Sequence, residues 1–97
     1  MSWILKQVGP VAAELNEIRR TSPETHLHIL EAIADLRHNP RPPDSDPLRG
    51  QKDMYRIKVG RYRVVYAVRG KTVLITRVRD RGTAYEGLFP LDDQEAD

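Results

Sequence analysis

The chain has no cysteine among its 97 residues, which excludes a disulfide framework and a thiolate metal site. Its histidines, His26, His28 and His38, stand at no metal-ligand spacing, the last two being ten positions apart. No stretch approaches the roughly 20 apolar residues that a membrane helix needs. The N-terminal MSWILKQVG has neither the basic leader nor the apolar run of a signal peptide, so the expectation is a cytoplasmic protein with no membrane partner. Carboxylates are scarce where cations are dense. Asp53 and Asp80 are the only acids between Leu48 and Tyr85, and two hard-cation ligands so far apart make a weak site. Neither a metal nor another cofactor is expected. There is no internal repeat. Residues 1–91 are read as one domain and 92–97 as an acidic, mobile tail.

The charge that is present is unevenly placed. Residues 1–48 carry five Lys/Arg against seven Asp/Glu, a net of −2; residues 49–91 carry eleven against three, a net of +8; and 92–97 carry four acids and no base, a net of −4. A segment of +8 is the electrostatic footprint of a polyanion, most simply nucleic acid, or else a solvated basic surface.

Within that segment Met54 to Val68, MYRIKVGRYRVVYAV, reads with period two on both sides of Gly60-Arg61. Tyr55, Ile57 and Val59 then share a face with Tyr62, Val64, Tyr66 and Val68, and the three tyrosines are read as core. Met54, Arg56 and Lys58 share the other with Arg63, Val65 and Ala67, a face read as charged and wet. A two-residue loop with glycine first is the type II′ pattern, which pairs Val59 with Tyr62, Lys58 with Arg63, Ile57 with Val64 and Arg56 with Val65. Like charges directly opposite each other destabilise a sheet by a few tenths of a kcal/mol to about 1 kcal/mol. Three cations on one small face therefore point to an anionic ligand, with phosphate the obvious candidate.

Elsewhere, Ser2 to Val8 is expected as an edge strand with Trp3 and Leu5 on one face. Val11, Leu15 and Ile18 set a helix near 10–20, with Pro10 in its first turn. Ser22 as N-cap, Pro23 and Glu24 start a second helix, ended by Asn39-Pro40, whose apolar stripe is read as Leu27, Leu30, Ile33, Ala34 and Leu36. These helices are expected to form an antiparallel pair over the Tyr55/Ile57/Val64/Tyr66 face. Pro40 to Pro47 is a linker unfit for helix or inner strand. After a turn at Arg69-Gly70, Thr72 to Val78 makes a further strand with Val73 and Ile75 toward the core, and Thr83 to Leu88 a loop or short strand. The fold class is α+β, two N-terminal helices on a small twisted, mainly antiparallel sheet.

LRGQKDMYRIKVGRYRVVYAV followed by RVRDRGTAY resembles the RelE branch of the RelE/ParE toxin superfamily, and the order of elements matches as well. The resemblance implies a RelE-like fold and a type II toxin, a metal-independent endoribonuclease that cuts messenger RNA on the ribosome, with a cognate antitoxin protein, the ribosome and messenger RNA as partners. The family's cationic strand residues fall on Arg56 and Lys58, the next strand's arginine on Arg63, and the C-terminal tyrosine on Tyr85. The late arginine is Arg81 when counted as in relatives with His-Arg before the tyrosine, which puts Asp80 in the histidine's place, and Arg79 when counted as in others. Lys58, Arg63, Arg81 and Tyr85 form the expected catalytic set, and Arg49, Lys52, Arg56, Arg61 and Arg79 the RNA-binding set.

Such cleavage needs a proton acceptor at the 2′-oxygen, cations for the phosphorane and stabilisation of the leaving 5′-oxygen. Lys58 is the candidate base, since a lysine can lose its proton where an arginine cannot. Arg63 is expected to clamp the scissile phosphate, Arg56 the adjoining one, and Tyr85 to stack on a base or orient the nucleophile. The ParE branch, which poisons DNA gyrase without catalysis, and a catalytically decayed RNA-binding member are the rival readings.

Overall fold

Gly60 takes a φ of +59°, the left-handed conformation that the first central position of a type II′ turn requires, and the hairpin closes around it. The computed structural model describes residues 2–84. The elements run β1 (Ile4–Gln7), α1 (Gly9–Thr21), α2 (Pro23–Asp35), β2 (Ser45–Pro47), β3 (Met54–Val59), β4 (Tyr62–Arg69) and β5 (Thr72–Asp80). One sheet has the order β1-β5-β4-β3-β2. Only β1 and β5 pair in parallel, Ile4 to Gln7 against Thr72 to Ile75. The hairpin register is the one that the turn chemistry demands, with Val59 opposite Tyr62, Lys58 opposite Arg63, Ile57 opposite Val64 and Arg56 opposite Val65.

The helices cover one face of the sheet. Val11 and Ile18 of α1 and Ile29 and Leu36 of the α2 region bury with Ile57, Val64, Tyr66, Val73, Ile75 and Val78, while Trp3, Leu5, Tyr55 and Tyr62 pack against them partly buried. The stripe on α2 is the expected one only in part: Ile33 and Leu36 belong to it with Ile29, and Leu27 and Leu30 do not. Ile29 is fully buried, whereas Leu27 is 57% and Leu30 40% exposed. The Ile29, Ile33, Leu36 spacing of four and three is as helical as Leu27, Leu30, Ala34, so periodicity alone left two adjacent faces open, and packing against the sheet selects the first. Ser22 occupies the N-cap of α2 without a side-chain cap bond; instead its N–H donates to Ile18 O (2.7 Å) and its carbonyl accepts from His26 N–H (2.9 Å), ending one helix and starting the next. Regular α-helix stops at Asp35, earlier than Asn39-Pro40, and tight three-residue turns carry the chain through His38.

The proline-rich linker is anchored through its carbonyls and its arginine. Tyr66 Oη donates to Pro40 O (2.7 Å) and Arg41 Nε donates to Tyr55 Oη (2.8 Å). Its end forms the short edge strand β2 against β3, where a proline lacking an N–H is tolerated.

Strand β5 carries a β-bulge that decides the chemistry of the opposite face. Val65 pairs with Arg77 but its neighbour Tyr66 pairs with Ile75, so Thr76 is the extra residue, and its hydroxyl donates to Val65 O (3.0 Å). Strict alternation from Val73 and Ile75 sends Arg77 and Arg79 into the core. The bulge reverses the phase, so that Val78 is buried under the helices while Arg77 and Arg79 share the face of Val65 and Arg63.

Candidate nucleic-acid interface

Register across the three central strands builds a grid of cations. One row reads Lys58, Arg63, Arg79 across β3, β4 and β5; the next reads Arg56, Val65, Arg77. Side chains directly opposite one another have Cβ atoms about 4.5–5.5 Å apart, so the first row sets three cationic residues side by side, whereas the second flanks buried Val65 with two arginines. Arg77 was absent from the sequence-derived set. Its position in TRVRD was visible, but its outward direction depends on the bulge.

This face is not uniformly wet, and Arg63 is the clearest departure from expectation. A second apolar cluster of Leu48, Val65 and Ala84, with Met54 packed against it, lies on the cation face. Arg63 is 3% exposed, and its Nη1 donates to Gly60 O and Tyr62 O, each at 3.0 Å. The expectation of a solvent-facing clamp fails because the guanidinium folds back onto its own turn, whose carbonyls offer the acceptors that a buried cation needs.

The other arginines are also held. Arg56, with only 12% of its side chain exposed, pairs with Asp46 of β2 at 3.2 Å. Arg77 Nη1 donates to Ala84 O (3.2 Å) and so ties the turn after β5 to the sheet. Arg61, exposed at the hairpin tip, pairs with Asp80. Asp80 also accepts from Gly82 N–H (2.8 Å) through its other oxygen, and those two partners, the amide first, hold its carboxyl below the usual carboxylate range. Asp80 thus serves as an acceptor that shapes the turn after β5. Arg81 lies just past β5, with its N–H donating to Arg61 O (2.9 Å) and its side chain exposed.

Lys58 differs from these arginines. It is exposed, and it makes no hydrogen bond or ion pair with any of the described residues. Arg49 and Lys52 are exposed on the 48–53 loop, which packs Leu48 against Val65 and so borders the grid. Tyr85 lies outside the described residues; Ala84 before it is buried on the cation face.

The second residue that the sequence reading missed is Glu14 of α1. Beyond Ile75, β5 has no strand on its β1 side, because the chain turns into α1 after Val8 N–H donates to Ile75 O (3.1 Å). Glu14 closes that open edge. Its Oε1 accepts from the Val78 N–H (2.9 Å) and its Oε2 from Arg79 Nε (2.6 Å). The signal was present in the sequence: Glu14 falls three after Val11 and four before Ile18, a charge on the buried stripe of an amphipathic helix.

Among the described residues, no group of three or more His, Asp or Glu could hold a metal ion, and no helix is long and apolar enough to cross a membrane. A family model for the ParE toxin of type II toxin–antitoxin systems, parDE, matches residues 8–85, which include α1, α2, the whole β2 to β5 segment and every cation of the grid. The chain belongs to that family. Solved structures place this ParE-family toxin in the wider RelE/ParE superfamily. It is 28% identical to the archaeal RelE–RelB complex from Pyrococcus horikoshii over 87% of this chain and 100% of that one, with a TM-score of 0.70. To a free, doubly arginine-to-alanine substituted RelE from Escherichia coli it is 24% identical, covering 82% and 84% of the two chains with a TM-score of 0.68. The chromosomal ParDE system of Pseudomonas aeruginosa gives 20% identity, coverage of 81% and 96%, and a TM-score of 0.61. The last two likenesses show the fold alone. No curated protein sequence matches the toxin.

Proposed function

We propose that this toxin is a ribosome-dependent endoribonuclease whose cation grid cuts messenger RNA by attack of a 2′-hydroxyl on the adjoining phosphorus. The observation that carries the reading is the Lys58–Arg63–Arg79 row, in which one exposed lysine without a partner among the described residues stands beside guanidiniums fixed in place. Lys58 Nζ takes the proton of the 2′-hydroxyl. The 2′-oxygen bonds to phosphorus, the P–O5′ bond breaks, and the 5′-oxygen takes a proton from water. Fixed guanidiniums oppose the charge gathering on the phosphorane without reorganising during the step. Arg56 and Arg77, one row away, suit the adjoining phosphate, and exposed Arg81, Arg61, Arg49 and Lys52 extend the track. Arg63, being buried, acts at the phosphate through its charge and by shaping the hairpin tip. Tyr85 is assigned to base stacking.

A cognate antitoxin protein is the expected partner, in keeping with the RelB-bound state of the archaeal RelE relative. The family match itself favours a second reading, a non-enzymatic gyrase inhibitor. One paired assay separates the two: purified toxin is added to programmed ribosomes, with cleavage mapped by primer extension, and to a gyrase supercoiling reaction. The proposal expects discrete cuts in the message and undisturbed supercoiling. Intact message with stalled gyrase would establish the second.

A further inference from the structure

Glu14 spends one buried-side carboxylate on two neighbours in β5 that face different ways, the backbone of Val78 and the side chain of Arg79. The first bond alone would suffice to satisfy an open strand edge, and any acceptor could make it. The second needs a further acceptor oxygen on the same side chain, which a carboxylate has and a carboxamide lacks once its one oxygen faces Val78. Only 17% of the Glu14 side chain and 35% of that of Arg79 are exposed, so the pair is partly shielded from water, where a charge-assisted bond of this length holds its geometry. Arg79 begins on the cation face, opposite Arg63, and its Nε reaches the edge where α1 passes. A flexible side chain is thereby fixed at its penultimate group, and the plane of its guanidinium is set.

We infer that Glu14 is a positioning residue that orients Arg79 at the outer end of the Lys58–Arg63–Arg79 row, so that α1, which contributes no cation to the grid, sets the geometry of phosphate recognition there. This rests on the endoribonuclease reading. The role has an alternative that the structure also accommodates, a plain cap on the β5 edge, and the two make different demands on the chemistry of residue 14. Glutamine keeps the length and an oxygen for the Val78 N–H but places no negative charge against Arg79.

The test is a double-mutant cycle of wild type, Glu14→Gln, Arg79→Ala and the double variant, each measured by thermal unfolding and by single-turnover cleavage on programmed ribosomes. Glu14→Gln is expected to unfold as wild type does and to lose about tenfold or more in cleavage rate, the scale on which small misplacements act. That loss should vanish in the Arg79→Ala background, because nothing is left to position. A Glu14→Gln protein as active as wild type, or one whose loss is undiminished without Arg79, overturns the inference. If the wild type cleaves no message, the endoribonuclease reading falls on its own, and the same four proteins are compared for binding a short single-stranded RNA. Non-additive affinities then retain the positioning role, whereas additive ones, or no binding at all, end it.

Discussion

Lys58 and Arg63 stand directly opposite each other across the β3–β4 hairpin, yet Lys58 is exposed while Arg63 is 3% exposed and bonded to the carbonyls of Gly60 and Tyr62. A solvated pair of like charges would repel at some cost to the sheet. Here one cation is drawn down onto backbone acceptors, and the other is left at the surface. In the proposed mechanism that division gives proton exchange to the exposed lysine and the fixed electrostatic role to the arginine.

Lys58→Arg separates charge from proton transfer. The guanidinium keeps the attraction to phosphate but does not lose a proton near neutral pH. RNA or ribosome binding, measured by titration at fixed salt, should match wild type, while single-turnover cleavage should fall by about a hundredfold or more, the usual scale of a lost general base. Cleavage at the wild-type rate would make Lys58 a charge and not the base.

Arg63→Ala should destabilise the protein as well as silence it. The carbonyls of exposed Gly60 and half-buried Tyr62 would lose a charged donor, a cost of about 1 kcal/mol for each bond where water can take its place. Urea unfolding measures this directly. A variant as stable as wild type would show that the guanidinium is not tied into the hairpin tip.

Much of this was legible in the sequence because the determinants were local. Gly60-Arg61 specified a turn whose type sets the register, and period-two alternation then told the two faces of the hairpin apart. What escaped depends on tertiary choices. The Thr76 bulge reverses the phase of β5, so Arg77 could not be assigned a face from spacing. The α2 stripe turned on which apolar residues meet the sheet, and the burial of Arg63 on its guanidinium folding back onto the carbonyls of Gly60 and Tyr62. Glu14 was readable as a charge out of place, but its partners lie 64 and 65 residues away in β5.

Stability should also respond to strong alkali through Tyr66. Its ring is fully buried with its hydroxyl donating to Pro40 O, and burial pushes its pKa from 10.0 up to about 12. The unfolded chain therefore ionises this phenol first. The stabilisation is complete below pH 10 and is lost as pH rises toward 12, amounting to about 3 kcal/mol at most. Denaturation midpoints of wild type and Tyr66→Phe, taken between pH 9 and 12, should converge as pH rises. Parallel curves would show that this phenol is not the group responsible.

The most direct test of the cleavage chemistry is a message on programmed ribosomes carrying a single 2′-deoxynucleotide on the 5′ side of the mapped cut, compared with its all-ribose twin under single-turnover conditions. Attack by the 2′-oxygen predicts that the ribose message is cut to leave a 2′,3′-cyclic phosphate on the upstream fragment and that the deoxy message stays whole at that position. Equal cleavage of the two messages would contradict the mechanism proposed for Lys58 and the arginine row.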